Sequence, residues 1–62
     1  MFYTIIIKSN SQAIYKYDNE KAAYASLHHE QEYSINANEY CLCMVINAEG
    51  AVVKYDKTEP TA

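Results

Sequence analysis

The chain is expected to fold as a single α+β domain in the order ββαββ, a four-stranded antiparallel sheet with one helix packed on one face. Three observations lead there. Two apolar runs, the β-branched Phe2 to Lys8 and Tyr40 to Ile46, each precede a polar turn and a shorter strand-like segment. Between the two pairs lies one stretch from Asn19 to about Tyr33 that is rich in helix formers and free of Gly and Pro. Sixty-two residues leave room for one domain only.

Phe2-Tyr-Thr-Ile-Ile-Ile-Lys8 reads as the first strand. Ser9-Asn-Ser-Gln12 supplies turn formers, and Ala13 to Tyr17 alternates like a half-exposed strand. Asp18 or Asn19 can cap the helix, with Glu20 favourable in its first turn. The apolar stripe of the helix is thin: Ala23 and Leu27, with Tyr24 and Gln31 at its margins. Ser34 to Glu39 reads as a polar connection. Asn47-Ala-Glu-Gly50 places the only glycine where a hairpin needs a left-handed residue, and Ala51 to Tyr55 forms the last strand. The domain is expected to span residues 1–56, with 57–62 a frayed, disordered tail.

With four-residue loops in both hairpins, Ile6 would pair with Tyr15, Thr4 with Tyr17, Ile46 with Ala51, Met44 with Val53 and Leu42 with Tyr55. Side chains then fall into two sets. The bulkier set, Tyr3, Ile5, Ile7, Ile14, Tyr40, Leu42, Met44, Ile46 and Val53, is expected under the helix. The second set is Phe2, Thr4, Ile6, Tyr15, Tyr17, Cys41, Cys43, Val45, Val52 and Lys54. It is also largely apolar, which an antiparallel sheet with one wet face does not need. One helix covers one face, so this second set is expected to be bare and to serve as an interface or ligand-binding surface. A bulge would exchange faces along one strand.

Eight acids against five lysines and no arginine give a net charge of −3, which disfavours direct nucleic-acid binding. No apolar run approaches the ~20 residues a bilayer span needs, and the opening segment lacks the basic region of a secretory signal. Membrane association is not expected, and a cytoplasmic location is. Cys41 and Cys43 are expected to be reduced, since a bond between alternate strand residues distorts the backbone. Their Cys-x-Cys spacing fits no zinc pattern, and the adjacent His28 and His29 diverge by about 100° on a helix. No cofactor or metal is expected. Neither histidine, with Ser26, Glu30 or Glu32, comes with an oxyanion hole or a shaped cleft, so an enzyme is not expected either. Seven tyrosines are the one compositional excess, suited both to strands and to recognition.

The opening strand Phe2–Ile7, the entry Tyr15-Lys-Tyr-Asp18, and Cys41-Leu-Cys-Met-Val-Ile-Asn47 leading to Gly50-Ala-Val-Val-Lys54 together resemble short proteins encoded by phages and mobile elements of gut Firmicutes. Such proteins include inhibitors of bacterial defence, so the resemblance implies a binding role and transfers no site residues. The expected function is that of a non-catalytic, self-associating protein. Its partners would be itself, as a homodimer or higher, and a host protein. A sponge for a nucleotide-like signal held between subunits, or a purely structural assembly protein, are the alternatives.

Overall fold

The computed structural model describes residues 1–61. Strand β1 (Phe2–Lys8) and strand β2 (Gln12–Tyr17) are followed by helix α1 (Glu20–Ala37), strand β3 (Cys41–Asn47) and strand β4 (Val52–Thr58). The sheet is antiparallel throughout, in the order β2-β1-β3-β4. The ββαββ expectation is met. The two most apolar strands take the centre, while Lys16, Lys54, Asp56 and Lys57 fall on edge strands, where charge discourages further pairing.

Each joint has a local cause. The first hairpin closes over Ser9–Ser11, with the Lys8 amide donating to the Ser11 carbonyl at 2.8 Å. In the second, the Asn47 side-chain oxygen accepts from the Glu49 and Ala51 amides, and Gly50 takes φ +84°, which glycine adopts without a Cβ penalty. Asn19 caps the helix by accepting from the Ala22 amide at 2.8 Å. Asn38 ends it in the left-handed region at φ 55°.

The helix runs about one turn further than expected. Ser34 to Ala37 are helical, and Ser34 is fully buried against the sheet instead of lying in a connection. The tail also departs from expectation. Lys57 pairs with Leu42 and Thr58 with Cys41, and Thr61 is tied to Asn38 through its amide, carbonyl and hydroxyl. The expected disorder of 57–62 therefore does not hold for residues 57–61, and residue 62 lies outside the described residues. What holds the end down is the Asn38 amide, exposed by the left-handed turn.

Strand pairing differs from expectation by two residues. Thr4 faces Tyr15, Phe2 faces Tyr17, Met44 faces Tyr55 and Leu42 faces Lys57. A slip of two keeps every side chain on its own face, so the grouping survives while the partners change. A β-bulge breaks that rule once: Val45 faces Lys54 but Ile46 faces Val52, which leaves Val53 extra. Val52 and Tyr55, three residues apart, thereby share a face.

The assignment of the helix to the bulkier set is overturned. Helix α1 covers Thr4, Ile6, Cys41, Cys43 and Val45, all buried, with Ala23 and Leu27 packed into them and Phe2, Tyr17 and Tyr24 at the edge. The reason is size. Ala23 and Ser34 let the helix approach closely, and only small side chains beneath it, Thr4 and two cysteines, leave room for that approach. The Thr4 hydroxyl donates to the Ala23 carbonyl at 3.0 Å across the seam. Gln31 closes the far end, donating to the Asp56 carbonyl at 3.2 Å and accepting from the Thr58 hydroxyl. Thr4→Val, close in size but without the hydroxyl, is expected to cost about 1 kcal/mol, and Thr4→Ile about 1–3 kcal/mol through overpacking. Urea unfolding midpoints measure both, and an unchanged midpoint for the isoleucine variant would show a seam looser than drawn.

Candidate functional site

With the helix on the small-residue side, the opposite side of the sheet is open. Strand alternation and the register place three side chains from each strand on it. Across the sheet they read Lys16, Tyr3, Ile46 and Val52 at one end, then Ile14, Ile5, Met44 and Tyr55, then Gln12, Ile7, Leu42 and Lys57. Nine of the twelve are apolar or aromatic. Ile14 is 61% exposed, Tyr55 57% and Val52 55%, while the central residues shield one another in part. A shallow apolar depression lies over Ile5, Ile7 and Ile14. No acidic side chain sits among the twelve, and the two cations stand at diagonally opposite corners.

The residues expected to form the bare surface are thus divided by the structure. Thr4, Ile6, Cys41, Cys43 and Val45 lie buried under the helix, and Phe2 and Tyr17 are packed against the same core. Tyr15 and Lys54 sit on the helix side of the edge strands and are exposed. Val52 alone reaches the open face, carried there by the bulge. The surface that alternation missed was the other set. Its signal was present in the volumes: Ala23, with the half-buried Ala22 beside it, matches Thr4 and the cysteines better than Ile5, Leu42 and Met44, while Ala25 is exposed.

The remaining chemistry is local. Cys41 and Cys43 are free and fully buried. Burial, reinforced by the neighbouring Cys41 thiol, pushes the Cys43 thiol up to about 12, far from the range of a nucleophile. His28 stands 3.7 Å from Glu32 on an exposed helix turn. Among the described residues no group of three or more His, Cys, Asp or Glu side chains is placed to hold a metal ion. A second depression, lined by Lys8, Ser11, Asn38, Tyr40 and Pro60, contains one cation, and that cation is engaged. The Lys8 ammonium lies 3.3 Å from a Glu30 carboxylate oxygen and 5.0 Å above the Tyr33 ring. Among the described residues no helix is long and apolar enough to cross a membrane.

Cys43 yields a pH prediction. Below about pH 9 its thiol is neutral whether the chain is folded or not; between about 9 and 12 only the unfolded chain ionises, so stability falls across that window. Cys43→Val should remove that part of the alkaline loss. At pH 8 the native protein should react with a thiol reagent only on unfolding, and prompt labelling of either cysteine would contradict the burial.

Compared with known proteins, the chain matches no family model, no curated protein and no solved structure, so its function rests on its own geometry.

Proposed function

We propose that this chain is a non-catalytic binding protein whose working form is a self-associated assembly, and that the assembly holds a partner macromolecule by protein–protein contact. The observation that carries this reading is the open sheet face: nine apolar or aromatic side chains with no element among the described residues over them. Monomers seldom keep a continuous apolar patch of this kind without a use for it.

Magnitudes favour association over solitary life. A patch four strands wide and about five residues long, at about 4.8 Å between strands and about 3.4 Å per residue, has a flat footprint of about 330 Å². Two such patches stacked cover about 650 Å², below the size of stable specific interfaces and in the range of weak, transient ones. The assembly is therefore modest in affinity and sensitive to dilution. A chain of this length buries only about 60% of its extended surface when folded alone, so the added burial matters to its stability.

The ligand-sponge reading has less behind it. The open face carries two tyrosines but no arginine and only two lysines, set far apart.

Light-scattering mass across a dilution series tests the proposal. The protein should be about half associated near 100 μM, a midpoint equivalent to roughly −5.5 kcal/mol, dimeric or larger above it, and dissociate on dilution. Met44→Lys, which places a charge at the centre of the face, should weaken association at least about a hundredfold while leaving the helix-side core intact. A parent protein that stays monomeric at the higher concentration overturns the reading.

A further inference from the structure

A second copy of this chain can meet the first along a sheet edge or across the open face. Edge pairing through β2 or β4 lengthens the sheet to eight strands, yet it sets two apolar faces side by side and covers neither. Stacking covers both at once. The footprint of the open face suits a weak, transient dimer, and the edges carry the charges that discourage pairing.

The corner residues decide the orientation. On the open face Lys16 and Lys57 occupy one diagonal, Gln12 and Val52 the other. Two sheets stack either with strands nearly aligned, at about 30°, or nearly orthogonal. A two-fold axis along the strands, or one across them in the plane of the interface, exchanges the two diagonals. Each lysine then meets a neutral corner of the second copy. A two-fold axis along either diagonal, which gives the orthogonal packing, does the reverse: it sets lysine against lysine on every rim. With no acid on the face, nothing would compensate that repulsion.

We propose that two copies stack open face to open face as an aligned sandwich, with the helices outermost and the Gln12 corner of each copy against a lysine corner of the other. The inference rests on the self-association reading and adds to it the identity and orientation of the occupant. In both aligned arrangements Gln12 faces a lysine, the second copy's Lys57 or its Lys16 according to the axis. In both orthogonal ones it faces either its own counterpart or Val52.

Gln12→Glu is the discriminating variant, because Gln12 is exposed and the change preserves its shape. Aligned stacking gains two symmetric carboxylate–ammonium pairs at the rim, so the dimer should tighten roughly two- to tenfold at low salt. The gain should fade as salt is raised. Orthogonal stacking instead meets a second carboxylate or an apolar corner, and the dimer weakens. A spin label at Ala25→Cys, exposed on the helix, gives an independent distance, since the native cysteines are buried and unreactive. Three layer gaps of about 10 Å put the helices of a stacked pair at least about 30 Å apart, whereas edge-paired sheets put them on one side, about 20 Å apart at about 4.8 Å per strand. A protein monomeric at every concentration overturns the self-association reading and this inference together. A dimer with the shorter distance, or one that Gln12→Glu weakens or leaves unchanged, overturns the aligned sandwich alone.

Discussion

The close seam between α1 and one side of the sheet organises the rest of the molecule. Ala23 and Ser34 on the helix meet Thr4, Cys41 and Cys43 on the sheet, and all five are fully buried. A seam of small side chains brings two backbones near enough for the Thr4 hydroxyl to reach the Ala23 carbonyl. It also contributes little apolar area for its length. Leu27, Ile6 and Val45 are the only larger aliphatic groups buried in it. A core this thin is a weak foundation for a chain of this size, and it leaves the bulkiest aliphatic side chains on the opposite side of the sheet.

That distribution links folding to function. In an ordinary two-layer domain the larger apolar residues face the helix and the open side turns polar. Here the order is inverted, and the open side holds five of the six isoleucines and leucines that lie in the strands. An interior has been displaced to an exterior surface. Charge follows the same logic, since every acid lies off that face, on the helix, in the loops, on the helix side of β4 or, for Glu59, just beyond it. The molecule as a whole is acidic, yet the open face carries only two charged residues, both cations, at its corners.

Much of this was legible in the residues. The element order follows from apolar runs punctuated by polar turns, the hairpin from Gly50 and the helix start from Asn19. The division of strand residues into two sets follows from alternation, and survived a two-residue slip in both hairpins because the period of a strand is two. Three features resisted. The bulge at Val53 has no local signature in Ala51-Val-Val-Lys54, and it alone moved Val52 across the sheet. The last turn of the helix, Ser34 to Ala37, is polar enough to pass for a loop, and is closed by the left-handed Asn38, whose backbone amide donates to the Ile35 carbonyl while the Glu39 amide donates to that of Ser34. The ordered tail depends on Asn38 reaching Thr61, a contact between residues 23 apart.

By itself the sequence determined a ββαββ chain with two apolar sheet faces and one helix, because periodicity and turn chemistry are local properties. Which face the helix covers was decided only in three dimensions. That choice turns on fitting volumes between elements distant in the chain, where a few small side chains permit close packing and larger ones forbid it. The face left over, and with it the surface available to another molecule, is a consequence of that fit.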